Sequence, residues 1–160
     1  MPAQTRATIG TQQLFQALTA TPFAARDLVF QAVTGIKADD LEALMLSHTP
    51  LPDVSVRSIM HNLGELLDLR RSEVAELLNI SPSRVSRNDK VSISILDCTG
   101  RISDVFALVS AVLGPEHARA WFKHPNPALG GKAPYQLMGT SYGAKRVENL
   151  VTALLNGSFV

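Results

Sequence analysis

The sequence predicts an all-α fold with an N-terminal helical segment, a helix-turn-helix region and a small helical C-terminal domain, in residues 1–50, 51–92 and 93–160 respectively. Apolar residues recur at helical spacing along most of the 160 residues, and residues 56–67 show the clearest stripe. Breaks rich in proline and glycine separate the stripes. Residues 91–95 alternate with the period of a strand, but a single strand would have no partner, so a helix is expected there as well.

Composition and charge favour a globular protein with one sizeable core or two small ones. Hydrophobic residues make up 46% of the chain and charged residues 18%, which is enough apolar surface for such a core. No basic-then-apolar leader opens the sequence, no apolar run approaches the ~20 residues that span a membrane, and the single Cys98 cannot form an internal disulfide. We therefore expect a cytoplasmic location without membrane contact. The net charge of +1 argues against general polyanion binding but permits a local basic face.

The N-terminal segment is predicted to contain two helices. Thr21-Pro22 is a cap followed by a proline at the first helical position, Gly35 is a suitable stop, and residues 40–47 fit a second, shorter helix. The segment carries several large apolar side chains, among them Phe15, Leu18, Phe23, Leu28 and Phe30. Because they exceed what a flexible arm would expose, we expect the segment to take part in a homodimer.

Residues 71–90 have the pattern of a helix-turn-helix motif. Ala75 is small where a crossing helix must approach closely, and Asn79 stands where the turn needs a left-handed backbone. Ile80 then fills the gap between the two helices. Ser81-Pro82 begins the second helix with a cap and a first-position proline.

The outer face of that second helix is the side that such motifs turn to the major groove of DNA. The residues predicted to contact DNA are Ser81, Ser83, Arg84, Ser86, Arg87 and Lys90. Arginine can hold guanine bidentately, and serine can reach a base edge or a phosphate. Three cations against Asp89 give residues 81–90 a net charge of +2, so a dimer reading two half-sites should bind better than a monomer. An ordinary helical hairpin with a solvated face would have the same pattern, and Asn88 stands where such motifs usually have an apolar anchor.

Proline and glycine are concentrated in residues 124–134, which join a helix carrying Trp121 to a final helix that ends at Gly157. A loop of this kind is suited to present a surface, and Trp121 is expected to be a core anchor. Residues 139–143 match the G-x-S-x-G pattern of a nucleophile elbow, but no strand is predicted before Ser141 and no histidine follows it. We therefore expect no enzymatic activity, no catalytic residue, no metal site and no cofactor.

One pattern of residues runs through the C-terminal third of the chain. It comprises Gly114, Ala118, Trp121, Pro125-Asn126, Leu129-Gly130-Gly131, Pro134, Leu137, Thr140, Gly143, Val147, Leu150 and Gly157. With this pattern, residues 91–160 resemble the toxin-binding domain of Xre/MbcA/ParS-type antitoxins. An Xre-type helix-turn-helix is the usual partner domain in that family, so the resemblance covers roughly residues 55–160. The chain departs from the family pattern at Asn88, Gly100 and Ala133, the last of which replaces a hydroxyl residue that caps the helix at Pro134.

The resemblance implies the antitoxin of a RES–Xre type II toxin–antitoxin system. Such antitoxins inhibit a cognate RES-type toxin, which degrades NAD+, by covering its active-site cleft, and the complex binds the operator DNA of its own promoter. The residues expected to contact the toxin are Asn126, Gly130, Gly131, Lys132, Tyr135, Lys145, Arg146, Phe159 and Val160. The cations among them can steer and orient an acidic partner, and the aromatic side chains can serve as anchors.

Several of these features have a second interpretation. The cations could be solvated surface charges, and Tyr135 could pack on the last helix instead of on a partner. For the whole chain, the alternative is a stand-alone helix-turn-helix transcriptional regulator whose C-terminal domain only dimerises. An adjacent, co-transcribed toxin gene would favour the antitoxin.

Overall fold

A computed structural model of the chain describes residues 10–20, 25–37, 40, 46, 54–81, 83, 84 and 90–157. The longer helices of this part are α1 (Thr11–Ala20), α2 (Ala25–Thr34), α3 (Val56–Leu67), α4 (Arg71–Leu77), α5 (Ile93–Leu113), α6 (Pro115–Lys123) and α7 (Ser141–Leu155). Two 3-10 turns, Pro127–Leu129 and Pro134–Gln136, lie between α6 and α7. No strand occurs among the described residues, and the predicted all-α class is confirmed. None of the described helices combines the length and the apolar character that crossing a membrane requires.

Helix α5 lies at the centre of the core, with α1, α2, α6 and α7 packed against it. The N-cap residue of α5 is Ser92, whose side-chain oxygen accepts a hydrogen bond from the backbone N–H of Ile95 at 3.2 Å. This cap, together with burial of α5, explains why residues 93–95 form the first turn of a helix in spite of the strand-like alternation of residues 91–95. The buried hydroxyls of Thr99 and Ser103 each donate to a carbonyl one turn earlier, so they are satisfied inside the core.

The core joins the first helix of the described part to the last. The fully buried ring of Phe106 in α5 lies 6.2 Å from the ring of Phe15 in α1 and 6.0 Å from that of Phe122 in α6. Trp121 packs its edge against Phe122, with ring centroids 5.4 Å apart, and is partly buried against the same cluster. Its predicted role as a core anchor is confirmed. A single cluster of buried apolar side chains therefore unites α1 with α7.

The N-terminal segment contributes its side chains to this core. Helix α2 ends before Gly35, whose φ of +74° makes it the predicted stop. Phe15, Leu18 and Phe30 are buried within the chain itself. The homodimer stays a prediction, and these three side chains are not available to form its interface. Phe23, Thr21-Pro22 and most of the second predicted helix lie outside the described residues.

The stripe predicted in α3 is confirmed as a buried face. Its members are Val56, Ile59, Met60, Leu63, Leu66 and Leu67. The helix begins behind Ser55, whose side-chain oxygen accepts a hydrogen bond from the backbone N–H of Ser58 at 3.0 Å. It ends at Leu67, and the C-cap residue Asp68 adopts a left-handed backbone with φ +53°. Helix α3 packs against α4, which is the first helix of the predicted helix-turn-helix.

Candidate functional site

The turn of the predicted helix-turn-helix forms as the sequence indicates. Asn79 has a left-handed backbone with φ +53°, and Ile80 is buried behind it. The backbone N–H groups of Asn79 and Ile80 donate to the carbonyl oxygens of Glu76 and Ala75, each at 3.0 Å. Helix α4 begins behind Arg70, whose backbone N–H donates to the carboxylate of Glu73 at 2.8 Å. That hydrogen bond is the main reason why the pKa of Glu73 is lowered.

Four of the six residues predicted to contact DNA are described, and all four are exposed: Ser81, Ser83, Arg84 and Lys90. The hydroxyl oxygens of Ser81 and Ser83 lie 3.2 Å apart, and the backbone N–H of Arg84 donates to the Ser81 carbonyl at 3.1 Å. Lys90 forms an isolated antiparallel bridge with Ser55, which brings the end of the motif back to the start of α3. Ser86 and Arg87 lie outside the described residues.

The loop between α6 and the second 3-10 turn is organised around Asn126. Its backbone N–H donates to the Lys132 carbonyl at 3.0 Å, and its own carbonyl accepts from the N–H groups of Leu129 and Gly131, each at 3.0 Å. The side-chain oxygen accepts a further hydrogen bond from the backbone N–H of Ala128 at 2.9 Å. Leu129 is buried and anchors the loop to the core. The backbone N–H, the backbone carbonyl and the side-chain oxygen of Asn126 therefore all form hydrogen bonds that hold the loop in shape.

Gly130 and Gly131 give the loop its exposed tip. Both have a left-handed backbone, with φ of +69° and +78°, although an added Cβ would meet nothing within 4 Å at either position. Their requirement for glycine is thus conformational and not steric. Lys132 follows them and is also exposed. The exposed tip of the loop therefore consists of the backbone of the two glycines and the cationic side chain of Lys132.

Tyr135 is partly buried and packs against the core beside α4. Burial raises the pKa of its hydroxyl, and the neighbouring carboxylates of Glu73 and Glu76 raise that pKa further. The turn that carries Tyr135 starts at Ala133, which cannot cap with its side chain. Gln136 supplies half of a capping box instead, because its side-chain oxygen accepts from the backbone N–H of Ala133 at 3.0 Å.

The start of α7 is held by a cap and by a close backbone approach. The side-chain oxygen of Thr140 accepts a hydrogen bond from the backbone N–H of Gly143 at 3.1 Å. A Cβ added to Gly143 would lie only 2.1 Å from the carbonyl oxygen of Leu137, so only glycine fits there. Ser141 is the exposed first residue of α7, and turns precede it. The strand that a nucleophile elbow requires before the serine is absent from residues 134–140.

The exposed face of α7 carries the remaining predicted cations and an aromatic residue that sequence reasoning missed. Lys145 lies 3.5 Å from a carboxylate oxygen of Glu148, whereas Arg146 forms no ion pair with any described residue. Tyr142 is 80% exposed. The sequence does contain a signal for this exposure, because Tyr142 stands out of phase with the buried apolar stripe of α7. Phe159 and Val160 lie outside the described residues.

Comparison with known proteins bears directly on this region. Residues 107–157 match the family model of the antitoxin Xre/MbcA/ParS C-terminal toxin-binding domain. This region is similar to an Xre/MbcA/ParS domain, and residues 107–157 are called the Xre/MbcA/ParS-like region below. A Pseudomonas putida protein named antitoxin Xre is 25% identical over 95 residues, which cover 59% of each chain. The chain thus matches about three fifths of that relative's length, and the resemblance predicted from the C-terminal pattern is confirmed.

The Xre/MbcA/ParS-like region contains every described residue of the predicted toxin-binding set: Asn126, Gly130, Gly131, Lys132, Tyr135, Lys145 and Arg146. The structure places them in the loop of residues 126–132, in the second 3-10 turn and in α7. The loop tip and the face of α7 are exposed, whereas Asn126 is half-buried within its own hydrogen bonds and Tyr135 turns towards α4.

The Xre/MbcA/ParS-like region also packs directly on the predicted helix-turn-helix region. A Cβ on Gly139 would lie 3.0 Å from the Cβ of Asn79, so the backbone of the Xre/MbcA/ParS-like region touches the turn of the motif. The Cys98 sulfur lies 3.6 Å from the carbonyl oxygens of Leu77 and Met138, and its one proton can be donated to either. Burial raises the pKa of the Cys98 thiol, which keeps that proton in place.

A second contact between the two regions is polar. The guanidinium of Arg119 in α6 donates to the carbonyl oxygens of Leu66 and Glu65 at 3.0 and 3.1 Å, and it covers the Phe15 ring at 4.9 Å. One turn further along α6, Lys123 pairs with Asp68 at 2.9 Å and lowers the pKa of that carboxyl. Lys123 thus belongs to the junction with α3 and not to the exposed loop.

Proposed function

We propose that this chain is the antitoxin of a type II toxin–antitoxin system. In the cytoplasm, the Xre/MbcA/ParS-like region would bind a cognate RES-type toxin, which degrades NAD+, and inhibit it by covering its active-site cleft. The chain itself would catalyse no reaction. The observation that carries the proposal is the match of residues 107–157 to a toxin-binding domain, with an exposed loop tip and an exposed cationic helix face in the same region.

The shape of the loop suits an inhibitor that fills a cleft. Hydrogen bonds around Asn126 and the two left-handed glycines fix the tip before a partner arrives. A preformed loop loses less conformational entropy on binding than a flexible one, so more of the contact energy appears as affinity. Lys132, Lys145 and Arg146 would mainly raise the rate of encounter with an acidic cleft and set its orientation.

The toxin-binding proposal is tested by co-expression. The protein encoded by the adjacent, co-transcribed gene is induced alone and together with the full chain, and growth and cellular NAD+ are followed. We expect growth arrest and loss of NAD+ when the neighbour is induced alone, and recovery of both when this chain is present. Arrest that persists in the presence of the chain would refute the antitoxin proposal. If the neighbour arrests growth without loss of NAD+ and this chain relieves the arrest, the chain is an antitoxin but its toxin is not of the RES type.

We further propose that the helix-turn-helix region binds the operator in the chain's own promoter, as a homodimer and together with the toxin. The exposure of Ser81, Ser83 and Arg84 on a correctly formed turn supports this assignment. Arg84→Ala is expected to weaken binding to that promoter by about 1–3 kcal/mol, or roughly 5- to 150-fold, because the guanidinium reads a base. Electrophoretic mobility shift at one fixed salt concentration measures the change.

Arg146→Ala is the matched control when this measurement is made with the chain alone, without toxin, because it removes the same side chain from the exposed face of α7. It should leave promoter binding within about twofold of the unchanged chain, as expected for a surface substitution away from the site. Equal effects of Arg84→Ala and Arg146→Ala would mean that the motif does not direct the binding. A chain that binds the promoter but does not relieve the neighbour's toxicity would be the stand-alone regulator.

A further inference from the structure

Tyr142 is the most exposed large hydrophobic side chain among the described residues, at 80% of its accessible surface. The other tyrosine of the chain, Tyr135, is partly buried against the core beside α4. Large aromatic side chains dominate the energetics of protein interfaces, because they bury much area with few rotatable bonds. Of the two tyrosines, only Tyr142 is free to supply that area to a partner.

The backbone that carries Tyr142 is held rigidly. Its neighbour Gly143 is pressed against the carbonyl of Leu137, where an added Cβ would lie at 2.1 Å, and the Thr140 cap fixes the same turn at 3.1 Å. Helix α7 buries its opposite side, which includes Ala144 and Val147, in the core. The phenol ring therefore projects from a fixed helix end, and little backbone freedom would be lost when it is bound.

The charges around Tyr142 indicate the chemistry of the surface that it fits. Lys145 and Arg146 follow it by three and four residues, so both lie one turn along the helix on the same exposed face. Glu148 is the only acid in α7 and lies 3.5 Å from Lys145, which leaves Arg146 without an ion-pair partner among the described residues. The face thus combines one aromatic ring with unbalanced positive charge.

We propose that Tyr142 is the aromatic anchor with which α7 docks on the toxin. The complementary toxin surface has an apolar slot for the ring and at least one carboxylate beside it that meets Arg146. The inference rests on the proposed antitoxin function. It assigns the specificity of the complex to the start of α7, in addition to the loop tip at Gly130 and Gly131.

Binding of the full chain to the protein encoded by the adjacent gene tests the proposal. Tyr142→Ala should raise the dissociation constant at least about 30-fold, the effect typical of an interface anchor, and should impair growth rescue. Tyr142→Phe keeps the ring and should bind within about threefold of the unchanged chain. Arg146→Gln should slow association, and its effect should shrink as salt is raised.

Ile93→Ala is the matched control, since Ile93 is an exposed apolar residue at the start of another helix, 57% accessible. It should leave toxin binding within about twofold. Thermal unfolding of each variant verifies that the exposed substitutions leave the fold intact. If the unchanged chain neither binds nor rescues, the proposed function fails together with this inference. If the unchanged chain binds and Tyr142→Ala binds equally well, only the inference fails.

Discussion

Gly143→Ala is expected to destabilise the protein by about 3 kcal/mol, at the upper end of the usual cost of overpacking. The added Cβ would lie 2.1 Å from the Leu137 carbonyl oxygen and 2.9 Å from the Leu137 carbonyl carbon. Both atoms belong to the backbone, so no side chain can rotate away to relieve the contact. The start of α7 would have to move off the preceding turn, and the Thr140 cap would be lost with it. Urea unfolding followed by far-UV circular dichroism measures the change in the free energy of unfolding.

Gly100→Ala is the same substitution with the opposite expected sign. Gly100 lies inside α5, where an added Cβ would meet nothing within 4 Å. Alanine should therefore stabilise the helix by about 0.5–1 kcal/mol through lower backbone entropy in the unfolded chain. Destabilisation of similar size by both substitutions would show that the close approach at Gly143 is not the cause.

A loss of toxin inhibition should accompany the destabilisation caused by Gly143→Ala, since Tyr142 and Arg146 would lose their fixed positions. This functional loss should persist at temperatures where the variant remains folded. Normal inhibition by the folded variant would indicate that the exact placement of the start of α7 is unimportant for the complex.

Local signals in the sequence were sufficient where neighbouring residues determine the structure. The apolar stripe of α3, the left-handed Asn79 and the glycines of the loop tip all depend on side-chain spacing or on backbone conformation within a few residues. The close approach at Gly143 was also predictable in kind, because a glycine near a first helical turn suggests a backbone neighbour. Its partner, the carbonyl of Leu137, required the structure.

Long-range packing was not accessible from the same signals. Tyr135 follows a proline and Tyr142 precedes a glycine, yet Tyr135 turns towards α4 and Tyr142 is exposed. Apolar periodicity likewise cannot distinguish burial within a chain from burial between chains. For that reason Phe15 was predicted to lie at a dimer surface, although it is buried beside Phe106. The hydrogen bonds from Arg119 to the end of α3 span 53 and 54 residues and have no local signature.

Phe106→Ala should lower the free energy of unfolding by about 3–5 kcal/mol, which is a large fraction of the stability of an ordinary domain. Phe106 is fully buried, and its ring lies 6.2 Å from Phe15 and 6.0 Å from Phe122. Truncation would leave a cavity that is bordered by α1, α5 and α6 at once. Chemical denaturation measures the loss, and Leu108→Ala provides a control in the same helix, because Leu108 is 40% exposed and should cost less than about 1 kcal/mol.

The same variant distinguishes one cooperative unit from two. Because the Phe106 ring is shared between the N-terminal segment and the C-terminal domain, its loss should shift a single transition, and Trp121 fluorescence and helical circular dichroism should report the same midpoint. An N-terminal segment that folds independently would instead give two midpoints, with the Trp121 signal following only one of them. In that case the aromatic contact between Phe15 and Phe106 would contribute little to stability. A single shifted midpoint would mean that the N-terminal helical segment is part of the framework on which the Xre/MbcA/ParS-like region folds.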